Sequence, residues 1–139
     1  NLNHTRAGSL KYGQTNLNVS DEMDLVADRA RYEADRAKDL ALSATNGIDA
    51  VMKAHRLDAL LFPGGSGAAI AAKAGYPTVM VPAGFVPAAG AQSPFPAGFA
   101  PKPAPYGISF TGMACSEPRL IELAYAYEQA TKKRVPPVL

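Results

Sequence analysis

Apolar and polar positions recur along this chain with two different periods. Met23, Val26, Ala30, Ala34, Ala37, Ala41 and Ala44 follow one another at spacings of three and four, which predicts an amphipathic helix with a single narrow stripe. Ser20 stands where an N-cap would, and Asp21 and Glu22 suit the positive end of the helix dipole. The other faces carry the pairs Asp28/Arg31, Arg29/Glu33, Arg31/Asp35 and Glu33/Arg36, each worth about 0.2–0.5 kcal/mol. A stripe made mostly of alanine predicts close packing against a neighbour, and Asn46-Gly47 predicts the stop. Ile48–His55 then restarts as a shorter helix with Ile48, Val51 and Met52 inward.

Beyond His55 the period changes. Ala59–Phe62 is a continuous apolar run, the pattern of a strand covered on both faces, as in a parallel sheet. A Gly/Ser loop follows at Gly64–Gly67, then a small-residue helix at Ala68–Ala74 and a turn at Gly75-Tyr76-Pro77. A second strand is predicted over Thr78–Val81, closed by Pro82 and Gly84, and a third over Gly107–Phe110. Ser116 is placed to cap a last helix that tolerates Pro118 in its first turn. Its buried stripe would be Leu120, Leu123, Ala124, Tyr127 and Ala130. Helices alternating with short strands predict an α/β fold.

Two stretches lack a period. Asn1–Val19 is polar and reads as a connecting arm, leaving 20–139 as the folded segment. Residues 86–106 are rich in proline, glycine and alanine, with Phe95 and Phe99 but almost no charge. Proline removes a backbone donor and restricts its predecessor, so this is a long irregular loop, expected to lie on the protein.

Charge sharpens the picture. Between Asp58 and Glu117 there is no acid, and the only charges there are Lys73 and Lys102. Such a stretch is either core or is covered by something outside the chain. The net charge of +2 and the brief basic run Lys132–Arg134 give no electrostatic reason to expect nucleic acid or a membrane surface as a partner. No apolar run reaches the length of a membrane span. The single cysteine, Cys115, excludes an internal disulfide and points to a reducing, cytoplasmic compartment.

Candidate chemistry is sparse. Gly65-Ser66-Gly67 between strand and helix has the outline of a nucleotide loop. However, Ile70 stands where a small residue belongs, and no acid follows at ribose-binding distance. Ser66 as a nucleophile needs a base; His55, His4 and Lys73 are all poorly placed in sequence. Cys115 at a helix entry reads as a small buried residue rather than a reactive thiol. Two histidines and one cysteine at scattered positions form no metal-ligand spacing, and no cofactor is expected.

Several stretches read together resemble the C-terminal part of the amidase signature family: KYGQTNL at 11–17, GIDAVMKAHRLDALLFP at 47–63, AGYPTVMVPAGF at 74–85, PYGISFTG at 105–112 and EPRLIELAYAYEQAT at 117–131. The resemblance implies an α/β fold with helices packed on both sides of a mixed β-sheet. It also implies hydrolysis of carboxamide C–N bonds by two serines and a lysine that lie in the family's N-terminal part, around a GGSSGGS-type run. No such run occurs here, and the GGSG at Gly64–Gly67 follows the wrong strand, so no catalytic residue transfers.

What the resemblance carries over is one wall of the substrate pocket: Phe62, Gly64, Ser66, Ile108, Phe110 and Thr111. The implied partners are the N-terminal part of the same protein, a small-molecule amide substrate, and further copies in a homo-oligomer. The chain alone would then be inactive and would expose the uncharged segment. The rival reading is a non-catalytic binding or assembly module derived from that fold, holding a partner by its apolar face and proline-rich loop. A free-standing enzyme using Ser66 or Cys115 is a third.

Overall fold

The computed structural model describes residues 2–87, 98 and 102–136 and divides into two compact units, Asn1–Ala37 and Lys38–Leu139. In the first unit, helix α1 (Thr15–Asp21) lies largely inside the stretch expected to be an arm. Ser20 is not a cap: its hydroxyl donates to the Asn16 carbonyl at 2.9 Å within α1. Asp24 takes the capping role instead. Its Oδ1 accepts from the N–H groups of Val26 and Ala27 at 2.8 and 2.9 Å, opening the turn that leads into α2 (Arg29–Leu40). Those two backbone donors hold the Asp24 carboxyl below its ordinary value by stabilising the charged form. Of the expected charge pairs, Arg29–Glu33 and Asp28–Arg31 close at 2.9 and 2.8 Å. No residue of α1 or α2 is buried, so the stripe begun at Met23 runs bare through α2.

The second unit holds the core. Asn46-Gly47 does not stop the helix. A π-helical segment, Ala41–Ile48, carries the chain directly into α3 (Asp49–His55). Two local features favour the wider turn. The Ser43 hydroxyl bonds back to the Asp39 carbonyl at 2.5 Å, a competitor to the backbone ladder. Gly47 comes so near the Leu42 carbonyl, five residues earlier, that a Cβ would sit 2.5 Å from its oxygen. Buried Ile48, Met52, Ala44, Ala71 and Ala74 form the core, with Leu60, Tyr76 and Met113 packed against it. The helical path ends at Arg56, which is left-handed at φ 51°. Burial, and then the neighbouring Asp49, push the Tyr76 phenol above its ordinary range.

Three strands form one sheet in the order β1 (Leu60–Pro63), β3 (Ala104–Thr111), β2 (Thr78–Val86). β3 is antiparallel to both neighbours, so β1 and β2 run the same way with β3 between them, joined by α4 (Ala68–Ala74). The expected two-sided cover of β1 is absent: its residues alternate between half-buried and exposed, and Leu61 is 61% exposed. β2 runs on through Pro82, where it was expected to close. At the sheet edge a missing N–H is tolerated, and an irregularity between Pro82 and Gly84 absorbs the register change. These longer strands also take in both ends of the 86–106 loop; Phe95 and Phe99 lie outside the described residues.

α5 (Glu117–Thr131) packs on β2 and β3, with Leu120 and Ala124 buried as expected. The Phe110 and Tyr127 rings meet edge-on, their centroids 6.2 Å apart. Ser116 precedes α5 without capping it, its hydroxyl donating to the Met113 carbonyl at 2.7 Å. Cys115, expected to be buried, is exposed on a left-handed residue at φ 60°, where the chain turns its side chain out before the helix begins.

Candidate functional site

Register decides which sequence-predicted residues meet. Phe62 on β1 is opposite Ser109 on β3, and Ser109 is opposite Met80 on β2. Directly paired residues share a face, so Phe62, Ser109 and Met80 form a row across one side of the sheet. Ile108 and Phe110 alternate to the other side, where Phe110 meets α5. Thr111 returns to the first side but one step further along. It is fully buried and its hydroxyl lies 2.8 Å from that of Thr78.

The Gly/Ser loop after β1 folds back over the row. Gly64, left-handed at φ 56°, is held by β3 at both of its peptide groups. Its N–H donates to the Gly107 carbonyl at 2.8 Å, and its own carbonyl accepts a hydrogen bond from the Ser109 hydroxyl. Ser66 donates both its N–H and its hydroxyl to the Pro63 carbonyl, at 3.3 and 2.8 Å. A Cβ at Gly65 would stand 3.3 Å from the Met80 methyl carbon, and one at Gly67 would overlap the Phe62 ring. The structure therefore brings Phe62, Gly64 and Ser66 together and sets Ile108 and Phe110 on the opposite face. Sequence reasoning missed Ser109 and Met80. The strict alternation along Gly107–Phe110 was the available signal, but it needs the antiparallel register to be read.

The chemistry of this place is uncharged. Met80 is 54% exposed and borders an open depression of about 360 Å³, lined also by Val81, Pro82, Pro105, Tyr106 and Gly107. Lys73 is tied to Asp39 by an ion pair of 2.6 Å. With its hydroxyl donated to a carbonyl, Ser66 is arranged as a loop-stabilising group rather than an activated nucleophile. Among the described residues, no group of three His, Cys, Asp or Glu side chains could hold a metal ion, and no helix is long and apolar enough to cross a membrane.

No family model matches the chain. It is, however, 32% identical over 127 residues to a probable amidase of Arabidopsis thaliana, covering 91% of this chain and 22% of that protein. It superposes on the crystal structure of the peptide amidase from Stenotrophomonas maltophilia with a TM-score of 0.70 and 38% identity, again over 91% of the chain. The chain is homologous to these amidases over nine-tenths of its own length.

The amidase match extends to a peptide amidase crystallised with the competitive inhibitor chymostatin, at 37% identity and a TM-score of 0.70. It falls on a C-terminal portion of these larger proteins. The chain spans 22% of the plant amidase and 25–26% of the two solved amidases. The match takes in 91% of this chain and is a partial fragment of the larger peptide amidase fold.

Proposed function

We propose that this chain is the C-terminal part of an amidase-signature hydrolase that cleaves carboxamide C–N bonds, supplying sheet core and one wall of the substrate pocket. The observation that carries the reading is the likeness to peptide amidases over nine-tenths of the chain, at 37–38% identity. In this reading Phe62, Gly64 and Ser66 face the substrate, whereas Ile108 and Phe110, expected beside them, lie on the other face of the sheet and Thr111 is buried against Thr78. The two serines and the lysine of the reaction come from the N-terminal part of the same protein, and the chain alone is inactive. Exposed Leu61 on one face of the sheet and Met80 on the other fit surfaces that the remainder of the protein covers. An apolar wall suits an apolar acyl group, and peptide C-terminal amides are the first substrates to test.

The test is ammonia release by the full-length protein from a panel of peptide and aryl carboxamides, with the isolated 139-residue chain assayed alongside. Hydrolysis by the full-length protein alone supports the reading. Hydrolysis by the isolated chain, or none by the full-length protein, refutes it.

A further inference from the structure

The geometry points to Ser109 as a positioning residue for the Gly64–Gly67 loop, a role that rests on the pocket-wall reading above. Ser109 sits at the centre of β3 between Phe62 and Met80 and is wholly shielded from solvent. A buried hydroxyl in an apolar row is expected to hold a specific partner, and here that partner is the Gly64 carbonyl. Three of the four loop residues are glycine, the residue with most conformational freedom to lose. Gly64 escapes that freedom because β3 grips it twice, through the Gly107 carbonyl on one side and the Ser109 hydroxyl on the other. The grip keeps Gly67 seated on the Phe62 ring and Gly65 beside Met80, which fixes where Ser66 stands. Ser109 touches no substrate; it sets the shape of the surface that does.

The experiment compares the full-length protein with its Ser109→Ala variant by amide hydrogen exchange and by steady-state kinetics. Ser43→Ala is the control: it also removes a buried hydroxyl bonded to a carbonyl, but one in the π-helical segment. Losing one hydrogen bond should speed exchange over Gly64–Gly67 by about tenfold, while Met52 and Leu120 exchange at wild-type rates. The KM should rise by about the same factor with kcat within about twofold, the signature of binding lost equally from ground state and transition state. Ser43→Ala should change neither loop exchange nor KM. Unchanged exchange in the loop overturns the proposal, as does equal loosening at Met52 and Leu120, or a loosened loop with an unchanged KM. The exchange result is read without any activity. A full-length protein that hydrolyses no amide thus defeats the amidase reading separately from the loop contact. If Ser109→Ala fails to fold, Ser109→Cys, whose slightly larger thiol is a weaker donor, is read by the same criteria.

Discussion

Replacing Gly67 with alanine sets two effects of opposite sign against each other. Gly67 sits at φ −76°, ψ −17°, a conformation that alanine adopts freely. The unfolded chain would lose freedom, and by that argument alone the substitution should stabilise by about 0.4–1 kcal/mol. The structure predicts the reverse. A Cβ there would lie 2.9 Å from Cε2 of Phe62 and nearer still to Cδ2 and Cγ. The ring is held between the loop and the sheet, and overpacking of this kind costs about 1–3 kcal/mol. The expected net effect is a local destabilisation of about 1–2 kcal/mol, which speeds opening by about 5–30-fold. The N–H of Ala71 reports it directly, since it donates to the Gly67 carbonyl at 3.2 Å in the first turn of α4. Amide hydrogen exchange of Ala71 and Ala74 in the full-length protein is the assay. Adding Phe62→Leu should reverse the effect, with a coupling beyond about 0.5 kcal/mol. Slower exchange in Gly67→Ala, or additive behaviour of the pair, would refute the contact between loop and ring.

Three further outcomes are expected. Leu120, with 0% of its surface exposed, should cost about 2.7–5 kcal/mol when cut to alanine, seen as a lowered thermal midpoint of the full-length protein; a loss under about 1 kcal/mol would mean α5 is not seated as described. Asp24 has a folded pKa below its unfolded value, so its capping contribution is present above about pH 4 and is lost as pH falls through the folded pKa. An NMR titration of its carboxyl should show a midpoint below 3.8, with the Val26 and Ala27 amides shifting together, and a midpoint at or above that value contradicts the cap. A fluorophosphonate probe should leave Ser66 of the isolated chain unlabelled, because its hydroxyl is donated to Pro63, and labelling there would restore the free-standing enzyme reading.

The sequence made local features legible and left the long-range ones hidden. Ala68–Ala74 is the predicted helix to the residue, because its alanines are bounded by Gly67 and Gly75 and nothing distant competes. The Ser20 cap failed because Asp24, four residues on, offers a charged oxygen to two N–H groups. Asn46-Gly47 failed as a stop because glycine suits a wide helical turn as well as an ending, and buried Ile48 draws the chain onward. Strand pairing was out of reach: the apolar run at β1 resembles a strand buried on both faces, yet half of it is uncovered within this chain. The loop after β1 was visible as glycine and serine. Its anchor was not, because Ser109 lies 45 residues away and looks from sequence like any small strand residue.

Strand order also sets when the sheet can pair during synthesis. β1 and β2 bracket the strand of the three that is made last, and each is hydrogen-bonded to it and not to the other. Leu60 finds its partner only when Thr111 has been made. At about 5–20 residues per second, roughly 2–10 s separate the completion of β1 from that of β3. For about the first half of that interval β1, and after Val86 is made both β1 and β2, stand on the nascent chain with unpaired edges, each a template for mispairing. Chaperone demand during translation should therefore peak after β2 emerges and fall once Ala104–Thr111 leaves the ribosome.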